Sequence, residues 1–256
     1  MVAPFEELQP DWLSVEAAIG ALLRDARPLT AVHLPPLDAL GRILASDVVA
    51  RAELPPHDNA AMDGYAVRGA EIEGASAEAP RRLKMVASVT PGAPLARTLG
   101  RGEAIRITTG APVPSGADSV VRVEDTDREA ESGRVVITLD RDAGRNIRPA
   151  GRDLRAGEVV AAAGRRLDPG GVAISVAAGA ATVAVHPRPR VTIVTTGDEL
   201  AGPEAFDRVV AGEAIPDTNG PMIAAAVREA GGLPDLGPAV PDAIEALVER
   251  LDAARE

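Results

Sequence analysis

Proline and glycine punctuate this chain so densely that long helices have little room to run. The 22 prolines and 25 glycines are dispersed through segments of regular apolar pattern, which argues for many turns and short strands rather than a helical bundle or a disordered chain. Aromatic residues make up only 2% of the sequence, so the core must be built from Ala, Val, Leu and Ile. A length of 256 residues gives ample material for one large domain or two to three small ones.

Charge and cysteine usage remove whole classes of function. A formal net charge of −11 argues against nucleic acid, since phosphate backbones demand a positive footprint. The absence of cysteine removes disulfides, thiolate metal sites and a cysteine nucleophile. His33, His57 and His186 are each solitary, unlike the spaced ligands of a zinc site. No basic start precedes an apolar core at the N-terminus, and no uncharged run is long enough for a bilayer. The expectation is a soluble cytoplasmic protein with neither nucleic acid nor membrane as partner.

Periodicity divides the chain. Residues 14–26 carry Val15, Ala18, Ile19, Leu22, Leu23 and Ala26 at helical spacing, with Ser14 as the N-cap. Residues 37–50 read as a short helix running into a strand. From 54 to 150 the apolar runs are short and bounded by Gly, Pro, Asp or Ser, the pattern of a mostly β module. Strand-like runs continue to 186, interrupted by a short helix over Pro169 to Gly179. After the rigid His186–Pro189 connector the pattern becomes βαβα. Val191–Thr195 is a buried parallel strand, Thr218 or Asn219 caps a helix ended by Gly231-Gly232, a weaker strand lies near Leu236–Val240, and a last helix starts at Asp242. Two strands and two helices cannot bury both faces of a doubly wound layer, so the chain is expected to be the first part of a longer protein.

The segment Leu54–Val67 holds the only tyrosine. Two prolines force an extended entry, and Asp63-Gly64 between apolar residues reads locally as a hairpin corner. Four further segments follow in order: Arg106–Pro114 leading to Gly116–Asp125, Gly144–Asp153, Thr195–Leu200, and Asp217–Asn219. Together these five resemble the molybdopterin molybdenumtransferase family (MoeA, gephyrin E domain), whose active-site aspartate Asp63 matches.

The resemblance implies an α+β multidomain fold: β-rich N-terminal domains, then the start of a doubly wound α/β molybdopterin-binding domain. The expected divisions are an N-terminal helix over 1–29 packed on the α/β domain, a linker-like β domain from 30–53 and 151–186, a β-rich domain over 54–150, and the incomplete α/β domain over 187–256. The implied reaction inserts molybdenum from molybdate into adenylylated molybdopterin and releases AMP, with Mg2+ assisting, in a homodimer. Asp63 and Thr109 are the implied catalytic pair, Asp153, Glu199 and Asp242 the metal or molybdate ligands, and Gly197, Asp198, Asp217 and Asn219 the substrate-binding residues.

Blander readings stand beside these. Thr109-Gly110 also reads as a strand-to-loop exit, Asp153 among Arg145, Arg148, Arg152 and Arg155 as a surface ion pair, and Asp242 as a helix cap. Glu199 has an argument of its own, because ligands of open α/β sheets bind at the C-terminal ends of strands. Two other functions stand as alternatives: a non-catalytic truncated relative acting as a molybdopterin-binding or dimerisation scaffold, which the incomplete α/β layer favours, and a competence-damage-type nucleotide hydrolase, in which the Asp63 and Thr109 segments are not expected.

Overall fold

A computed structural model describes residues 13–92, 97–131 and 133–254. In chain order the elements begin with helix α1 (Val15–Leu23) and strands β1 (Val32–Leu34), β2 (Val48–Val49), β3 (Asn59–Ala60) and β4 (Gly64–Val67). Strands β5 (Arg81–Val89), β6 (Glu103–Ile107), β7 (Ser119–Arg122), β8 (Arg134–Ile137), β9 (Ile147–Arg148) and β10 (Val159–Ala161) follow. Then come α2 (Pro169–Ala177), β11 (Val183–Val185), β12 (Arg190–Ile193), β13 (Leu200–Ala201), α3 (Phe206–Val210), β14 (Ile215–Pro216), α4 (Asn219–Glu229), β15 (Leu233–Leu236) and α5 (Ile244–Ala253). The chain forms two compact units. The first takes residues up to Ser46, Ala163–Asp168 and those from Thr182 on; the second takes Asp47–Ala162 and Pro169–Ala181.

The second unit is built on a five-stranded sheet in the order β7-β4-β6-β5-β8. Strand β4 runs antiparallel to both neighbours, and all four of its residues are buried. Alternation along the strands sends side chains to opposite faces. Tyr65, Val67, Ala104 and Val121 join one apolar cluster, while Ala66, Ile105 and Val120 join another. With aromatics scarce, Tyr65 is the bulkiest fully buried side chain here. Fully burying a side chain of this size is worth roughly 1.5–3 kcal/mol.

Strands β3 and β9 pair separately, so Asp63-Gly64 is not a hairpin corner. It is a bend that carries the chain from β3 into the central strand of the large sheet. Gly64 has no positive φ. A Cβ there would run into the Val121 carbonyl oxygen and lie 2.8 Å from its carbon, so close approach of β7 demands the glycine.

In the first unit β1 pairs with β11, and β12 pairs in parallel with β15 through α4. Ser14 caps α1 as expected, accepting from Ala17 N–H at 3.1 Å. Three local expectations need correction. Residues 36–41 form turns and not a helix, because Pro35, Pro36 and Gly41 leave no room for a second turn. The strand expected near Leu236–Val240 lies earlier, at Leu233–Leu236, with Val240 joined to Thr196 by a single bridge. Asp242 does not cap α5: its N-cap is Ala243, without a side-chain cap bond.

Candidate functional site

The bend before β4 leaves Asp63 exposed beside the loop that follows β6. That loop turns tightly: Ala111 N–H donates to the Thr108 carbonyl, and Gly110 takes φ +81°, which the third position of a type II turn needs. Ala60 grips the loop from both sides, donating to Ala111 O at 2.9 Å and accepting from Gly110 N–H at 2.8 Å. Thr109 is thereby set against Asp63. Its N–H donates to Asp63 Oδ1 at 2.7 Å and its hydroxyl to the same oxygen at 2.8 Å. These bonds, the backbone one first, hold the Asp63 carboxyl below its ordinary range, so it is ionised at neutral pH.

Thr109 was expected to act as half of a catalytic pair with Asp63. Both of its donors are turned to Asp63, so its part is to fix that carboxylate. Cationic donors come from elsewhere. Arg106, Arg122, Arg128 and Arg141 line an open cleft of about 810 Å³ together with Met62, Asp63, Thr109 and Glu124. Two of these arginines are locked from beneath by buried carboxylates. Arg122 makes a bidentate pair with Asp142 at 2.9 Å on both contacts, and Arg141 one with Asp125 at 2.6 and 2.7 Å. Asp142 and Asp125 are 1% and 3% exposed. Burial opposes ionisation of Asp142, but the hydrogen bonds from Arg122 outweigh it and hold its pKa down to about 2.

Arg106 sits opposite Tyr65 in the β4–β6 register, donates to its hydroxyl at 2.6 Å and lies 4.8 Å from the ring centroid. Burial pushes the Tyr65 phenol up, keeping it neutral. Arg128 occupies a left-handed turn with Glu129, at φ +56° and +64°, and forms no ion pair among the described residues. Sequence reasoning did not single out these four arginines. The signal that finds two of them is strand register, which sets Arg106 opposite Tyr65 and Arg122 opposite Gly64.

The other expected residues fall elsewhere. Asp153 lies outside the lining of this cleft and pairs with Arg148 at 2.7 Å on the surface. In the first unit Asp217 accepts from the Thr195 hydroxyl at 2.8 Å and from Gly220 N–H at 3.0 Å, so it caps α4 in place of Thr218. Asn219 opens that helix. Gly197 takes φ +146° with the Glu199 carboxylate folded over it. Asp198 accepts from Asp242 N–H at 3.4 Å. Gly197, Asp198, Glu199 and Asp242 therefore gather beyond β12, while Asp63 and Thr109 belong to the second unit.

The magnesium ion implied by the resemblance finds no ready cage. Among the described residues no three His, Asp or Glu side chains come together to hold a metal. In the Asp63 cleft Arg122 and Arg141 are each paired with a buried carboxylate and Arg106 lies 3.7 Å from Glu129, so Arg128 is the lining arginine without an ion pair among the described residues.

Comparison with known proteins agrees with this architecture. Residues 13–179 match the model of the MoeA N-terminal region (domain I and II), and residues 192–256 match a probable molybdopterin binding domain. The chain belongs to the MoeA family. A molybdopterin molybdenumtransferase 2 of Mycobacterium tuberculosis H37Rv is 39% identical over 216 residues, 84% of this chain and 51% of that protein. The molybdopterin molybdenumtransferase of Bacillus subtilis is 37% identical over 199 residues, 77% of this chain and 46% of that one. The crystal structure of a molybdopterin biosynthesis MoeA protein from Pyrococcus horikoshii superposes with a TM-score of 0.83 at 33% identity, over 94% of this chain and 63% of that one. The chain thus spans about half the length of the curated relatives it matches. Among the described residues no helix is long and apolar enough to cross a membrane.

Proposed function

We propose that this chain acts in molybdenum cofactor biosynthesis as a molybdopterin molybdenumtransferase, with the Asp63 cleft engaging the anionic substrates. The supporting observation is the Asp63–Thr109 pair set among four arginines. Molybdate is a dianion and adenylylated molybdopterin carries a phosphoanhydride, so their approach to one another needs fixed positive charge. Guanidinium groups supply it with donors matched to oxyanion geometry. Because Asp142 and Asp125 already hold Arg122 and Arg141 in place, little reorganisation accompanies binding.

Asp63 has a different part. Its lowered pKa makes it a weak base, so it orients rather than abstracts. Oδ2, which takes no hydrogen bond among the described residues, accepts one from a substrate hydroxyl or water, while Oδ1 stays tied to Thr109. The carboxylates of Asp198, Glu199 and Asp242 offer the molybdopterin side an oxygen-rich edge. A magnesium ion there would depend mainly on water and substrate phosphates. A homodimer in the cytoplasm remains part of the proposal, tested by light scattering and fractionation.

The test is AMP release from adenylylated molybdopterin on addition of molybdate. Wild-type turnover lost in Asp63→Asn and reduced in Arg128→Gln, which breaks no ion pair among the described residues, supports the reading. Turnover that survives both changes would sink it.

A further inference from the structure

A second basic cavity lies wholly within the first unit, apart from the Asp63 cleft. Residues 27–29, 41–43, 166, 186–189 and 230–231 line an open pocket of about 390 Å³. Arg27, Arg42, Arg166 and Arg188 line it, with no Asp or Glu. In a chain with 38 acidic and 27 basic residues, that local excess runs against the composition. None of the four forms an ion pair among the described residues. Arg27 already donates to the carbonyls of Arg24 and Ala26, which leaves Arg42, Arg166 and Arg188 to meet an anion.

The cavity is held by its own hydrogen bonds. Gly41 N–H donates to Leu167 O and Leu167 N–H to Arg42 O, both at 2.8 Å, which fixes Arg42 and Arg166 on paired segments. His186 N–H donates to Ile43 O at 2.9 Å, and its Nδ1 donates to Leu29 O at 2.8 Å. Leu233 N–H meets Pro189 O at 2.8 Å. Two guanidinium groups flank one point: a Cβ added at Gly41 would lie 3.7 Å from Arg166 Nη2 and 3.9 Å from Arg188 Nη2. Gly41 has φ +77°, so the backbone itself disfavours any side chain that would fill that point. The rest of the wall is apolar, with Leu29, Ile43 and prolines from two segments.

We propose that this cavity binds a small organic phosphate, a phosphomonoester dianion carrying an apolar ring. Converging guanidinium forks match phosphate oxygens bidentately. The prolines and the solvent-exposed Leu29 and Ile43 offer a ring an apolar face to cover, and the volume lies in the range of small-molecule sites. Tied segments around a compact cavity suit a small molecule better than an extended acidic peptide.

Phenyl phosphate is the probe, titrated calorimetrically into the full chain at constant ionic strength beside phenol, inorganic phosphate and an oligoglutamate peptide. Saturable binding is expected, tighter than inorganic phosphate and absent for phenol. Arg166→Gln with Arg188→Gln should weaken it at least tenfold, whereas Asp63→Asn leaves it unchanged. Arginine modification by phenylglyoxal, mapped by mass spectrometry on the unmutated chain, gives a readout independent of any variant's folding. Phenyl phosphate should protect Arg42, Arg166 and Arg188. Protection confined to Arg106, Arg122, Arg128 and Arg141, undiminished affinity in the folded double variant, or tighter binding of the peptide would each overturn the proposal.

Discussion

Replacing Gly64 with alanine tests why a glycine follows the candidate catalytic aspartate. A turn-building glycine would be needed for its φ, and alanine at a φ below zero would then cost little. The structure says otherwise. The added methyl runs into the Val121 carbonyl and sits 2.8 Å from its carbon and 3.2 Å from Arg122 Cα, against backbone that cannot rotate aside. Strand β7 must move away from β4 while Gly64 stays paired to Ile107 on its other edge. Overpacking at such a site costs roughly 3 kcal/mol, the upper end of the usual range. With a urea slope of roughly 2 kcal/mol/M, the midpoint of the second unit should fall by about 1.5 M. A chain of two units need not unfold in one step, so hydrogen exchange resolved by segment is the assay. Peptides from β4, β6 and β7 should lose protection, and those from α4 should keep it. An unchanged midpoint with full protection of β7 would refute the close-approach argument and return Gly64 to a turn role.

Four further outcomes follow from the same geometry. Asp63→Asn keeps an acceptor for Thr109 and should change stability by less than about 0.5 kcal/mol, while abolishing AMP release; thermal melting beside turnover separates the two. Arg122→Gln leaves the buried Asp142 without its ion pair and should destabilise by roughly 3–5 kcal/mol, read from urea midpoints. Asp142 has a folded pKa lowered from 3.8 to about 2, so its stabilisation of about 2 kcal/mol is full above pH 4 and lost as pH falls towards 2; acid titration of the second unit checks this window. Tyr65→Phe removes the hydroxyl that Arg106 holds and should cost about 1 kcal/mol in the same denaturation assay without closing the cleft.

Much of the architecture was legible because it is written in local pattern. Ser14 before an apolar-periodic run, the short punctuated strands of the sheet and the helix ended at Gly231 all follow from neighbouring residues. The Asp63–Thr109 pair spans 46 positions, and only the resemblance joined it in advance. Asp125 and Asp142 were not legible at all. Nothing in their neighbours marks either as buried, and their ion pairs come from arginines placed by tertiary packing. Gly64 was misread for a related reason: nothing in Asp-Gly reveals a neighbouring strand 57 residues away. Asp217 took the capping role expected of Thr218 or Asn219, and its carboxylate also reaches Thr195.

The two units are threaded through one another in sequence, and this bears on how the chain acquires its structure. Pairing Val32–Leu34 with Val183–Val185 closes a loop of about 150 residues, an entropic demand that grows with the length of free chain between the partners. Nearly all of that loop is the second unit. Once residues 47–162 and 169–181 have formed the second unit, most of the loop is no longer free chain. The first unit then closes its long-range pairing at a much smaller entropic cost. The sheet unit thereby serves as a clamp for its sequence neighbours, and damage at its centre should slow the maturation of a unit to which it contributes no residue.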